Sequence, residues 1–333
     1  MRNGKQTAFS ILLVLISTIL AFGAGELLLR FKNSDMKNYD IEMWRYSNAL
    51  KVRNVNPDIA FTHKSNAAAT LQGVTIRTNE KGLRGGPIEA LPINGRRVLF
   101  LGGSITLGWG VPEEKTITML LQSKLRAAGE KVQVLNGGIG NYNAVRYTNL
   151  FFDELHLLQP SDIVVHYFLR DAEDLLPGDG NFLLEHSQLA VTLWIVKNRI
   201  FEASGQGAVD DHYRRVYAPD SAGFLKMKAQ LTRLSDYSKA HGIRLYLAMT
   251  PDIHDLKNYK LEYIHRIMKR VADSEGYTFI DFLPALRGRP PEQLFAMPGD
   301  PHPNALGHQL MADALFSVLA RHASGKSTGV PAN

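Results

Sequence analysis

The chain has 333 residues, with 38 Lys and Arg against 32 Asp and Glu, a net charge of +6 and no cysteine. The missing cysteine excludes disulfides and cysteine-ligated zinc, and no dense Lys/Arg block interleaved with aromatics marks a nucleic-acid surface. At 45% hydrophobic and 21% charged, the chain suits one large α/β domain with appendages or two small domains, and its basic balance suits an anionic polysaccharide or a membrane face.

Residues 7–25 carry no charge, and residues 9–22 are rich in Leu, Ile, Val and Ala, a run just long enough to cross a bilayer as a helix. Arg2 and Lys5 precede it and predict a cytoplasmic N-terminus with an exported remainder; Arg30 and Lys32 on the far side pull the other way. Ala21-Phe22-Gly23 loosely resembles a signal-peptidase site, but the apolar run is long for a signal peptide, so residues 1–32 are read as an uncleaved anchor. Residues 33–95 are polar and mixed and are expected to form an irregular extension wrapping the main domain. Within it, residues 70–77 alternate loosely as a strand, and Asn79-Glu80-Lys81-Gly82-Leu83-Arg84-Gly85-Gly86 forms a turn-rich connection.

Val98, Leu99, Phe100 and Leu101 form an unbroken apolar run that Gly102 and Gly103 end, with Ser104 next, and residues 116–125 follow with helical periodicity. A strand apolar on both faces belongs to a buried parallel sheet, and such a turn presents its serine at the sheet's carboxyl edge, where open α/β sheets bind ligands. Ser104 can equally be an ordinary turn or N-cap residue. A phosphate loop is excluded because Trp109 follows Gly108, and a G-x-S-x-G elbow because Thr106 stands at the second glycine. Further strands are predicted at residues 132–135, 163–168, 243–249 and 277–282, with helices near 144–158, 222–240, 261–274 and 305–320. This alternation predicts a parallel sheet covered by helices on both faces. Residues 174–221 interrupt the rhythm, and their apolar middle around Trp194 fits a covering helix, a lid or a membrane-facing surface. Residues 323–333 are small and polar and read as a disordered tail.

A serine nucleophile needs a base and a group that orients the base. Among the histidines His302 is best placed, in Gly299-Asp300-Pro301-His302-Pro303-Asn304 between the last strand and the last helix, with Asp300 near enough to fix its tautomer and Pro301 and Pro303 stiffening the loop. The same string can also be an Asx turn leading into a helix. His166, His265 and His308 read as structural. Oxyanion donors are expected from the Ser104 N–H and from the glycine turn of Asn136-Gly137-Gly138-Ile139-Gly140-Asn141-Tyr142-Asn143. That turn is not a nucleotide fingerprint, because Asn143 takes the last glycine position.

The blocks GGSITLGWGV, NGGIGNYN and DPHPNALGH, in this order, resemble the SGNH/GDSL hydrolase superfamily, and NEKGLRG with the N-terminal anchor resembles its membrane-anchored bacterial members. The resemblance covers residues 79–320. It implies a flavodoxin-like three-layer α/β/α fold, ester hydrolysis or O-acyl transfer, Ser104 as nucleophile, His302 as base and Asp300 as orienting acid. Against the family pattern, Gly103 replaces an aspartate that is not the nucleophile, and the oxyanion glycine falls on Asn141 with Gly140 beside it. The family's asparagine after the third strand is Arg170, and Asp300-x-His302 is one residue shorter than Asp-x-x-His. Arg170 can act as a charged donor in place of the amide, bind an anionic part of the substrate, or turn away to pair with Asp171, Glu173 or Asp174.

The expectation is therefore an anchored, extracytoplasmic serine esterase acting on an O-acylated glycan or envelope polymer, needing no metal and no cofactor and binding no nucleic acid. The hydrolase-like domain is expected at 96–322, with the insertion at about 174–221. The alternatives are an O-acyltransferase with the same residues, or a glycan-binding module whose site has decayed.

Overall fold

The computed structural model describes residues 4–90, 95–175, 182–203, 209–297, 300 and 302–323. In chain order, α1 (Gly4–Lys32) and α2 (Tyr39–Leu50) precede the short strands β1 (Lys51–Arg53), β2 (Phe61–His63), β3 (Ala68–Leu71) and β4 (Val74–Arg77). Then come β5 (Arg96–Gly102), the one-turn helix α3 (Ser104–Leu107), α4 (Ile117–Ala127), β6 (Val132–Gly138), α5 (Ala144–Asp153) and β7 (Asp162–Phe168). The helices α6 (Phe182–His186), α7 (Gln188–Ala203), α8 (Val209–Val216) and α9 (Ala222–His241) lead to β8 (Arg244–Thr250). The last elements are α10 (Glu262–Glu275), β9 (Thr278–Asp281), α11 (Leu283–Leu286) and α12 (Ala305–Ala323).

The chain divides into Met1–Asn48 with Gly178–Gln206, and Ala49–Pro177 with Gly207–Asn333. In the first unit α1 is, among the described residues, the helix long and apolar enough by length and composition to cross a membrane, and none of its apolar window is buried. Its Glu26 carboxylate accepts from Ser187 Oγ (2.9 Å) and from the backbone N–H groups of Gln188 (3.1 Å) and Leu189 (2.9 Å), capping the first turn of α7. Trp44 Nε1 and Asn48 Nδ2 donate to the carbonyls of Leu184 and Glu185 in α6. Of the stretch read as an insertion, α6 and α7 therefore group with the N-terminal helices, and α8 with the α/β unit.

In the second unit the apolar runs form one five-stranded sheet in the order β6-β5-β7-β8-β9, with every pair parallel. Alternation along the strands divides the core. Val98, Phe100, Val164, Tyr246 and Ala248 pack with Ile117, Leu121 and Leu125 of α4 and Met311 and Leu315 of α12. Leu99, Leu101, Ile163, Val165 and Leu247 pack with Tyr147 of α5, Leu231 of α9 and Met268 of α10. Burial of each large aliphatic side chain contributes about 1.5–3 kcal/mol, so two covered faces make a three-layer α/β/α sandwich of flavodoxin-like order. At the amino edge of the sheet, Asp162 is fully buried and pairs with Arg96 (2.8 Å) and Arg244 (2.9 Å).

Several details differ from the sequence reading. The extension is not simply irregular, since it contains α2 and two antiparallel hairpins. The strand expected at 70–77 is a hairpin, because Gln72 (φ 50°) and Gly73 (φ 73°) form a left-handed pair that reverses the chain. The helix expected to reach 158 ends at Asp153, and Leu155 and Leu158 are buried from a separate 3₁₀ turn. The tail beyond residue 323 and the stiffening assigned to Pro301 lie outside the described residues.

Candidate active site

Ser104 is the first residue of α3, directly beyond the carboxyl end of β5. Two glycines let that turn settle on the sheet. A Cβ at Gly102 would lie 2.0 Å from Thr106 Oγ1, and one at Gly138 would lie 2.2 Å from Leu107 N. Asn136 Nδ2 donates to Thr106 O (2.8 Å), tying α3 to β6. The carboxyl end of α3 is held by buried Arg84, whose Nη1 donates to Leu107 O (2.6 Å) and Gly108 O (2.7 Å) and whose Nη2 donates to Val111 O (2.7 Å). A cation at a helix C-terminus is electrostatically favourable. Sequence reasoning missed Arg84 and Asn136; the only signal for Arg84 was the polar NEKGLRG stretch itself.

His302 comes to the same edge from a loop pinned by backbone bonds from Ala296 N to His302 O (2.8 Å) and from Asn304 N to Leu294 O (2.7 Å). Asn304 Oδ1 then accepts from Leu306 N (3.0 Å) and Gly307 N (3.2 Å), starting α12. His302 Nε2 lies 2.6 Å from Ser104 Oγ, across 198 residues of sequence. Nδ1 faces Asp300 Oδ1, which also accepts from the His302 backbone N–H at 3.0 Å. Asp300 and His302 are each 5% exposed. With Asp300 ionised, Nδ1 carries the proton and Nε2 is left to accept from the serine hydroxyl.

The turn after β6 lies against the serine turn, since a Cβ at Gly103 would be 3.2 Å from Tyr142 O. Gly140 and Asn141 form the tip of that turn, with Asn141 left-handed at φ 67°. Asn143 caps α5 through Arg146 N (3.1 Å) and donates to Glu173 O (2.8 Å). Arg170 follows β7 at the same sheet edge, but its Nε donates to Glu173 Oε2 (3.1 Å) and its side chain is 58% exposed. Its neighbour Asp171 is buried, and burial holds that carboxyl well above the usual range despite the Phe168 N–H bond (3.2 Å).

Three further histidines, His308, His166 and His265, are buried. His308 Nδ1 accepts from Ile117 N (3.0 Å), and burial pulls its pKa down to about 3. His166, also pulled down to about 3 by burial, meets Thr250 Oγ1 at 2.8 Å. His265 is held between Asp281 (2.9 Å) and Tyr259 (2.9 Å). No group of three or more His, Cys, Asp or Glu among the described residues is arranged to hold a metal ion.

A parallel α/β/α sandwich with a serine, a histidine and an aspartate in one hydrogen-bonded chain at its carboxyl edge is the architecture of SGNH-type ester hydrolases. The chain belongs to the GDSL-like lipase/acylhydrolase family, whose model matches residues 100–310, and it is an ester hydrolase of that class. Among solved structures it is similar to the psychrotrophic esterase EstA from Pseudoalteromonas sp. (15% identity, 69% of this chain and 99% of that one, TM-score 0.44). It is similar also to LAE5, an alpha/beta hydrolase enzyme from the metagenome of Lake Arreo (18% identity, 70% and 97%, TM-score 0.46). A third likeness is to the acetylxylan esterase Axe2 from Geobacillus stearothermophilus (18% identity, 67% and 94%, TM-score 0.45). No curated protein matches the chain.

Proposed function

We propose that the protein is a membrane-anchored serine esterase that removes acyl groups from an O-acylated glycan or envelope polymer on the extracytoplasmic side. The observation that carries this reading is the chain Ser104 Oγ to His302 Nε2 (2.6 Å) and His302 Nδ1 to Asp300 Oδ1. His302 takes the hydroxyl proton as Ser104 attacks the acyl carbonyl, and Asp300 holds the ring and stabilises the imidazolium that forms. The N–H groups of Ser104 and of Gly140 or Asn141 receive the oxyanion. His302 then protonates the departing sugar oxygen, and water attacks the acyl-serine by the same base. Arg170, its Nε taken by Glu173, is read as a charged group at the rim that meets an anionic part of the substrate. The apolar helix α1 and the net charge of +6 support a position at the membrane beside an anionic polymer.

The reading is tested with a chromogenic acetyl ester and with acetylated envelope polysaccharide, measuring acetate released by the full-length chain in detergent. Ser104→Ala is expected to lose about 10³-fold or more of turnover. Undiminished turnover in Ser104→Ala removes the proposed nucleophile, and no turnover by wild type on any acyl ester points to a binding module. Transfer of the acyl group to an added oligosaccharide in preference to water makes the enzyme an acyltransferase.

A further inference from the structure

The turn at Gly140 and Asn141 is gripped by two basic side chains. Lys51, the first residue of β1, donates from Nζ to Gly140 O at 2.8 Å. Arg146, in the first turn of α5, donates from Nη1 to Asn141 O at 2.8 Å. Both side chains also rest on one ring, with Lys51 Nζ 3.9 Å and the Arg146 guanidinium carbon 5.2 Å from the Phe61 centroid. Phe61 belongs to β2, the partner of β1, and its carbonyl accepts from the Tyr142 hydroxyl while its ring stands 5.4 Å from that of Tyr142. Two side chains, Lys51 of the β1–β2 hairpin and Arg146 of α5, thus hold two successive peptide groups, and Phe61 backs both of them.

Those two peptide groups have constrained geometry. Among the described residues no peptide bond is cis, so the Asn141 N–H points opposite to the Gly140 carbonyl that Lys51 holds. The Tyr142 N–H closes the turn onto Ile139 O at 3.2 Å. Asn141 is left-handed at φ 67°, a region that asparagine enters more readily than most other non-glycine residues. The two carbonyl bonds fall on the peptide groups on either side of that residue.

We infer that Lys51 and Arg146 are positioning residues of the active site, which lock the Gly140–Asn141–Tyr142 peptides from the side of their carbonyls so that the Asn141 N–H stays presented to the acyl oxygen. This rests on the esterase reading above. The β1–β2 hairpin, outside the segment matched by the family model, is thereby a working part of the site. Because oxyanion donors act mainly in the transition state, loosening the turn lowers kcat and leaves KM nearly unchanged.

The experiment uses the full-length chain in detergent, acting on the chromogenic acetyl ester, with Ser104→Ala as reference. Lys51→Met and Arg146→Met are each expected to lower kcat about 10–100-fold with KM within about threefold, as expected for a misplaced catalytic group. Lys51→Arg, which keeps a donor and a basic group on Phe61, is expected to recover most of the loss. Lys64→Met, an exposed lysine of the same hairpin region that donates to Ala49 O, is the control and keeps wild-type kcat. The thermal midpoint is read alongside, and Arg146→Lys supplies a second conservative variant should a Met variant not fold. Unchanged kcat in the folded Met variants overturns the inference, as does an equal loss in Lys51→Arg and Lys51→Met. If wild type and Ser104→Ala turn over alike, it is the esterase reading that fails.

Discussion

Replacing Arg84 with Ala removes the donor to three carbonyls at the end of the nucleophile turn: Leu107 O, Gly108 O and Val111 O, at 2.6–2.7 Å. Arg84 is 4% exposed, so those carbonyls lose their partner in a place where water enters only through the space the side chain vacates. A buried carbonyl left without a donor costs about 1–3 kcal/mol. Taking the low end for each, because the vacated volume admits water, gives a loss of about 3 kcal/mol. At about 2–4 °C per kcal/mol for a unit of this size, the thermal midpoint falls by roughly 6–12 °C. Lysine, with a single point charge, can serve part of this fork and should recover part of the loss. Ser104 begins the same turn, so kcat on a chromogenic ester is expected to fall about tenfold or more. The assay is near-UV circular dichroism melting of both variants beside ester turnover. A midpoint within about 1 °C of wild type for Arg84→Ala would refute the reasoning, because the three bonds would then contribute nothing net.

Asp162→Ala leaves Arg96 with Glu130 and the Leu319 carbonyl and takes a carboxylate from the half-exposed Arg244, so it should cost about 3 kcal/mol, the low end for a broken buried pair, in urea unfolding at pH 7. Burial raises the Asp162 carboxyl, but the bonds and charge of Arg96 with the charge of Arg244 outweigh it and hold it below the usual range. Its contribution is therefore full above about pH 4, the unfolded value, and is lost as the pH falls through the folded one. A wild-type to Ala difference as large at pH 2 as at pH 7 would contradict this. Asp171 has the opposite sign, with burial holding its carboxyl up, so its own contribution to stability falls as the pH rises above about 4 and the unfolded chain loses its proton first. Asp171→Asn, which still offers an acceptor to Phe168 N–H, should melt no lower than wild type at pH 8, and a lower midpoint would show that the charged form is favoured. Arg170→Asn should not lower kcat on a neutral acetyl ester by the roughly 10²–10³-fold typical of a lost oxyanion donor; a fall of that size would return Arg170 to the oxyanion hole.

The central sheet was readable because its strands are buried on both faces and so appear as unbroken apolar runs, Val98–Leu101 and Ile163–Val165 among them. Ser104 and His302 could be singled out because each follows a strand at the carboxyl edge, and their 2.6 Å approach is a matter of topology once the strands are parallel. Arg84, Lys51 and Arg146 were not readable, since all three act on backbone carbonyls and no side-chain pattern marks an acceptor that every residue possesses. The hairpin at Gln72-Gly73 was hidden by a strand-like alternation running through it. The grouping of α7 with the N-terminal helices was hidden because its helix cap, Glu26, lies more than 160 residues upstream. Arg170 was left open between two roles, and its bond to Glu173 depends on a residue only three positions on.

The central claim is that Ser104 is an alcohol activated by His302. The most direct measurement is mass-spectrometric mapping of the adduct that a fluorophosphonate leaves on the full-length chain in detergent. The account predicts one phosphonylated residue, Ser104, with labelling abolished in Ser104→Ala and slowed at least about 10³-fold in His302→Ala. An adduct on another residue, or labelling at an undiminished rate without His302, would contradict it.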